Sequence, residues 1–380
     1  MIVAGGVDIV PVGSKAELDR FIRVPMRLGE RDPNYIAPLI LERGESLTPK
    51  GNPFFEHADV QFWLAVKDGR DVGRISAQVD HLNPQTRQGV GHFGMIAAED
   101  DPAVFEALFA AAEAWLKAKG CRVAMGPVNL STNEEVGLLV EGHDTPPMFM
   151  MSHDAPHTPG RIEGAGYAKA KDIFAYVCSV ADDLPAPIRR RIRKGLPEGV
   201  TLRTLKMKRL DEEVRTLTAI LNDAWSDNWG FTPTTEAETK ALATTLKLLI
   251  DARLAWFAEI DGEPAGFMIL LPNINEAIAD LKGKLFPFGW AKLLWRLKVK
   301  GPKTGRVPLM GVRRKFANSL RGQLLPFHLI DAVAQAARKQ GYERYELSWI
   351  LEDNMAMRRI CDAGGARVYK TYRLYEKALA

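Results

Sequence analysis

Two stretches 193 residues apart, WLAVKDGRDVGRISA and WFAEIDGEPAGFMIL, share one pattern. Trp63 and Trp256 open them, Asp68-Gly69 and Asp261-Gly262 divide them, and Gly73 and Gly266 follow. Alternating apolar residues around an Asp-Gly pair predict a β-hairpin. Upstream, Asp32/Pro38 and Asp227/Pro233 recur 195 residues apart. Downstream, Gly120 and Gly341 each close an Ala-rich helical segment and lead into a strand-like run, and Asn133 and Asn354 follow at the same separation of 221. Gly166/Gly365 and Tyr176/Tyr375 then match 199 apart. Matches in one order with one structural role make the chain two copies of a unit. Each copy reads as strand, two helices, hairpin, strand, long helix, strand, short helix and a final hairpin. The expected division is 1–180, a basic linker at 181–198 and 199–380, with an amphipathic insertion at 274–304. Runs of antiparallel strands with inserted helices place the fold in the α+β class, with a mixed sheet in each unit.

Composition removes several alternatives. The 380 residues are 46% hydrophobic and 26% charged with net charge +4, which suits a globular protein and no nucleic-acid coat. Cys121, Cys178 and Cys361 are odd in number and widely spaced, so no disulfide framework or Cys-x-x-Cys metal site is expected. The N-terminal stretch carries Asp8 and no basic run, and no apolar run approaches a membrane span, so a cytoplasmic protein is expected.

The tail ELSWILEDNMAMRRICDAGGARVYKTYRLYEKAL resembles the closing part of the GCN5-related N-acyltransferase (GNAT) fold: a fifth strand, Asn354, a short helix, Gly364-Gly365, and a last strand bearing Tyr372 and Tyr375. VPLMGVRRKFANSLRGQLLP resembles its fourth strand and coenzyme loop. The resemblance implies two tandem GNAT-like units, each a mixed, largely antiparallel sheet flanked by helices, with acyl-CoA as a co-substrate and no permanently bound cofactor. It places acyl-CoA beside Val312, Arg313, Arg314, Arg321, Gly322 and Gln323. Of the family's loop pattern only Gly322 fits, since Ala317 and Leu320 occupy the other positions, and the arginines would supply the missing charge. The family's frequent acid tyrosine is Cys361 here. In the first half the corresponding loop, EDDPAVFE, is acidic and would repel a pyrophosphate. GPVNLSTNEEVGLLVEG and GYAKAKDIFAY further resemble a tandem branch, the bacterial ceramide synthases, which acylate the amine of a sphingoid base.

Amide formation from a thioester needs a base, an oxyanion site and a proton for the leaving thiolate. Glu346 and Ser348 alternate on the fifth strand and face one side; Glu346 is the leading base, with a plain ion-pair role as its alternative. Backbone N–H groups near Val312 would form the oxyanion site, Tyr372 or Cys361 the acid, and Asn354 opens the short helix beside them. No metal is needed. In EGHDTPPMFMMSHDAPH, Pro156 argues against a helical His153/His157 ligand pair, and Met148, Met150 and Met151 suit an apolar wall. Asn129, Asn133 and Glu135, with Glu134, are candidates to face the acceptor or to cap a helix.

Residues 282–306 hold eight Lys/Arg and no acid. Helical spacing puts Trp290, Leu293, Leu294 and Leu297 on one face and Lys292 and Arg296 on the other, with Phe286 and Trp295 nearby. This predicts contact with an anionic membrane surface or a lid over a long-chain amine, and a position peripheral to the inner face of the cell membrane. A solvated amphipathic helix is the plainer alternative. The linker lacks aromatics for base stacking, so no nucleic-acid partner is expected. Two further readings are an aminoacyl-tRNA-dependent Fem-like transferase and a non-enzymatic lipid-surface adaptor.

Overall fold

A computed structural model describes residues 2–3, 6–182 and 184–379. Its strands are β1 (Ile2–Val3), β2 (Val7–Pro11), β3 (Ala58–Lys67), β4 (Arg70–Asp80), β5 (Val90–Ala98), β6 (Val123–Gly126), β7 (Val128–Asn129), β8 (Glu135–Val136), β9 (Leu138–Glu141) and β10 (Ala168–Ser179) in the first half. In the second half come β11 (Val200–Thr204), β12 (Ala255–Ile260), β13 (Glu263–Pro272), β14 (Thr304–Val312), β15 (Arg344–Leu351) and β16 (Arg367–Ala378). Both Asp-Gly hairpins form: Asp68 and Gly69 have φ of 51° and 71°, Asp261 and Gly262 of 51° and 81°. A tight turn twisted to match its strands needs this left-handed pair, which explains the glycines.

In each half the strands run antiparallel up to a parallel step, β5 on β6 and β14 on β15. A parallel step needs a crossover. The helices Pro102–Ala118 and Leu320–Lys339 supply it, each burying one apolar face on its sheet. The first is N-capped by Asp101 and the second by Ser319, whose side chains accept from Ala103 and Gly322 N–H.

The expected closing hairpins are single strands, and the halves exchange them. Among the described residues one 14-stranded sheet runs β1-β2-β3-β4-β5-β6-β16-β10-β15-β14-β13-β12-β11, with β9 beside β16. The last strand of the second half therefore lies against β6 of the first, and the last strand of the first lies against β15 of the second. The registers obey the repeat: Val123 pairs with Ala378, and its counterpart Arg344 pairs with Ser179, the counterpart of Ala378. A tail strand cannot be assigned to a sheet from its own residues, because both sheets offer the same edge.

The insertion also differs from its expected form. It contains Ile274–Ile278, Gly289–Trp295 and a wider π turn, Arg296–Lys300. Leu293, Arg296 and Leu297 are half-buried, whereas Trp290, Leu294 and Trp295 point outward, so the single apolar face is split in two. Lys292 and Arg296 both engage Asp280, just outside the basic run. The insertion clasps the first half: Asn275 donates to the carbonyls of Pro147 and Met148, both at 3.1 Å, and Ile40 N–H donates to Gly283 O at 3.0 Å. Among the described residues no helix is long and apolar enough to cross a membrane.

Candidate active site

The parallel pairing of β14 and β15 ends at Val307 and Leu347. The next residue, Pro308, has no N–H to give, and β14 continues paired to β13 alone through Val312. The strands thus diverge, and a cavity of about 340 Å³ opens between them. Its second-half walls include Met310, Val312, Trp225, Phe231 and Met357, and the first half contributes Met125, Val128, Val136 and Ile173. It is an apolar chamber shared by both halves.

The equivalent divergence in the first half is closed. A Cβ at Gly94 would lie 2.0 Å from the Val128 carbonyl oxygen, and one at Gly126 would lie 2.1 Å from that of Phe93. Only glycine permits such backbone approach. Asn129 completes the closure: its Oδ1 accepts from Met95 N–H at 2.6 Å and its Nδ2 donates to Glu135 at 3.1 Å. In the acidic loop Asp100 and Asp101 are bound by Arg161 and Lys67.

Around the second-half coenzyme loop, Val312 borders the cavity and Arg313 N–H donates to Ala265 O at 2.7 Å. Arg314 bonds Ser226 at 2.9 Å and Asp227 at 2.7 Å, and Arg321 bonds both oxygens of Asp261. Both arginines are solvent-accessible and carboxylate-paired. Gly322 sits where a Cβ would meet Phe316 O at 1.9 Å, so the loop requires glycine as it enters the helix. Gln323 N–H is used by Ser319 O at 2.9 Å.

Glu346 is fully buried and stands behind Ser348, which borders the cavity. Ser348 donates to Glu346 at 2.5 Å and accepts from Arg306 Nε at 2.7 Å; Tyr369 donates to the other Glu346 oxygen. Arg306 lies 3.5 Å from Glu346, stacks 4.7 Å from the Trp349 ring centre and donates to Phe149 O at 3.0 Å. Counting Arg306 in the basic surface run is therefore corrected: it is 1% exposed and belongs to this network. Arg306 and Tyr369 were not among the sequence candidates. Tyr372 is buried with its hydroxyl unpartnered, and burial pushes its phenol well above the usual range. Cys361 packs in the apolar core beside the Leu320–Lys339 helix, where burial pushes its thiol up to about 12. Asn354 borders the cavity while accepting from Met357 N–H at 3.1 Å. His92, also absent from the sequence candidates, borders the same cavity from the first half.

Asn133 borders the cavity too and donates to Thr232 O at 3.0 Å across the halves. Glu135 and Glu134 lie elsewhere. Burial opposes the Glu135 charge, but Arg43, hydrogen-bonded to it, holds its carboxyl below the usual range. Burial drives Glu134 up to about 7 while it accepts from Asn52 at 2.9 Å. His153 bonds Asp32 at 2.9 Å, and among the described residues no group of three or more ligand side chains is placed for a metal ion. Met148 and Met151 pack against Tyr372 in one buried cluster. Phe286, Trp290, Leu294 and Trp295 do not enter the cavity; they are about half-exposed or more, from 48% to 74%.

A parallel strand pair in each half, opened beyond its last shared rung in the second, around exchanged closing strands, defines a tandem GNAT-fold N-acyltransferase. Solved structures agree at the level of fold. A tandem GNAT protein from the clavulanic acid biosynthesis pathway superposes with a TM-score of 0.58, 14% identity and coverage of 98% of this chain and 99% of that one. A GCN5-related N-acetyltransferase from Sphaerobacter thermophilus gives 0.54, 16% identity and coverage of 98% and 96%. The chain belongs to the bacterial ceramide synthase family: it is 62% identical over 375 residues to the bacterial ceramide synthase of Caulobacter vibrioides, covering 98% of each. Protein YghO of Escherichia coli is 47% identical over 368 residues, covering 96% of this chain and 94% of that protein. No protein-family profile matches the sequence.

Proposed function

We propose that the protein transfers a long-chain acyl group from acyl-CoA to the amine of a sphingoid base, 3-ketosphinganine or sphinganine, by direct attack. The observation that carries this is the apolar cavity at the divergence of β14 and β15, because an acyl thioester entering along β14 would meet an acceptor chain among side chains of both halves. The amine nitrogen attacks the thioester carbonyl, the C–S bond breaks and the thiolate leaves as the free thiol. The amine's proton passes to the Ser348–Glu346 pair, whose hydroxyl reaches the cavity. Backbone N–H groups near Val312 are assigned to the developing oxyanion. The thiolate's proton is assigned to Tyr372, which pairs with the wall residue Ile173 and has an unpartnered hydroxyl, with Cys361 as the alternative donor.

Arg313, Arg314 and Arg321, beside the turn at Gly322 and Gln323, receive the pyrophosphate at the start of the Leu320–Lys339 helix, Arg314 and Arg321 exchanging exposed carboxylates for phosphate. The insertion brings the acceptor. Phe286, Trp290, Leu294 and Trp295 project outward beside Lys282, Lys284, Lys298 and Lys300, an arrangement that suits an anionic lipid surface on the cytoplasmic side. Asn129, Asn133 and Glu135 act around the acceptor, Asn133 from the cavity wall and the other two by bracing the loop behind it. The deciding experiment is free-thiol release with short, medium and long acyl-CoAs, with and without sphinganine. Release that rises with chain length and requires the base is expected; release that is greatest with a short polar amine would overturn the assignment.

A further inference from the structure

We propose that His92, contributed by the first half, reads the polar head of the acyl acceptor by hydrogen-bonding the oxygen substituent carbon-adjacent to the reacting amine. This rests on the reading of the shared cavity as the acceptor site.

His92 lies on β5, opposite Gln78 and alongside Met125. It is buried at 2% exposure, yet its ring borders the cavity, and among the described residues it makes no side-chain hydrogen bond. The polar side chains of β4 beside it are already committed. Ser76 donates to Gln78 at 3.2 Å, and Gln78 donates to the Val128 carbonyl. The His92 ring nitrogens have no protein partner among the described residues and are not sealed from the cavity, so a polar group arriving there can bond them. Of the other lining residues, Met125, Val128, Val136 and Leu374 are apolar, and Gln85 presents an unpartnered Oε1.

The repeat shows what this position was built from. Arg306 pairs with Glu346 across β14 and β15, and the corresponding pair across β5 and β6 is His92 with Met125. In the second half a cation meets a carboxylate inside the protein. In the first half the carboxylate is replaced by a thioether, leaving the imidazole to face the chamber. Burial, only partly offset by Asp80, lowers its pKa to about 4, so the ring is uncharged at neutral pH and carries one donor and one acceptor. An uncharged ring does not repel an ammonium and can bond a hydroxyl or a keto oxygen beside it.

The test compares two acceptors of equal chain length with saturating acyl-CoA: a 2-amino-3-hydroxy long-chain amine and the plain alkyl amine. In the full chain, His92→Phe is expected to lower kcat/KM for the oxygenated amine by about 10- to 100-fold while changing the plain amine less than about threefold. His92→Gln, which keeps a donor and an acceptor, is expected to recover most of the difference. Thermal unfolding checks the fold; should His92→Phe fail to fold, His92→Leu carries the same comparison. Equal losses on both acceptors, or none on either, would overturn the proposal. A wild-type protein that acylates neither amine but does acylate another would overturn the acceptor reading, a separate outcome.

Discussion

Ile173 pairs with Tyr372 at the centre of the exchanged ladder, and every other rung of β10 on β16 has its repeat-related counterpart about that pair. Lys169 with Tyr375 answers Tyr176 with Val368, and Ala168 with Glu376 answers Val177 with Arg367. The axis that relates the halves therefore passes through the two residues that correspond to each other in the repeat. The first half is missing a strand that only the second supplies, and the reverse holds. Fragments 1–180 and 181–380 produced separately are expected to be poorly folded, and to recover a cooperative transition when produced together. Two separately cooperative fragments in thermal unfolding would refute this dependence.

Closure of the first-half divergence depends on Gly94. A methyl group there meets the Val128 carbonyl at 2.0 Å, and Gly94→Ala is expected to destabilise by about 1–3 kcal/mol. Chemical denaturation measures this; a neutral effect would mean that the strands part easily and that the first cleft is not sealed.

Glu134 makes stability fall as pH rises. Its carboxyl titrates near 7 when folded against an ordinary value of 4.5, so between those values the unfolded chain has lost a proton that the folded chain keeps. Asp154, raised by burial to about 6, acts in the same direction; His92, lowered to about 4, acts oppositely below pH 6.5. Glu134→Gln removes its own contribution, and the variant is expected to gain about 1–3 kcal/mol over the parent at pH 8 and little near pH 4.5. A gain independent of pH, followed by melting temperature, would contradict the assignment.

Replacing Arg314 and Arg321 together with Ala breaks exposed pairs to Asp227 and Asp261, which contribute little to folding. Acyl-CoA is expected to bind about tenfold more weakly, with the unfolding midpoint nearly unchanged. Calorimetric titration with unchanged affinity would move the pyrophosphate site.

Trp290, Leu294 and Trp295 are exposed, so changing all three to Ser is expected to leave the melting temperature nearly unchanged. Apparent KM for sphingoid base should rise tens-fold, about what losing one or two large apolar contacts produces, and binding to anionic vesicles should fall. Acyl-CoA affinity should not move. Full activity of the triple variant on a long-chain base would exclude this surface from substrate delivery.

The hairpins at Asp68-Gly69 and Asp261-Gly262 and the glycines before each fifth strand were readable because their signals are local: a turn needs particular backbone angles wherever it occurs. The exchange of β10 and β16 was not, since each strand's alternation fits either edge. Ser348 and Asn354 reach the cavity as residues of the fifth strand and the turn after it, the places from which the resemblance drew them. His92 was hidden as one histidine in the strand HFGM; only its alignment with Arg306 through the strand registers marks it out. Arg306 is adjacent in sequence to exposed basic residues, which hides it, while its strand turns it inward.

The position of β16 sets an order of events during synthesis. When a ribosome has released residues 1–180, β6 still lacks the neighbour it takes from 367–378, and β10 extends with neither partner made. The nascent first half must wait, with its inner edge open, through nearly all of the second half's translation. Folding of the finished sheet is then a late event in which both halves close at once, and the chamber between them comes into being only at that moment.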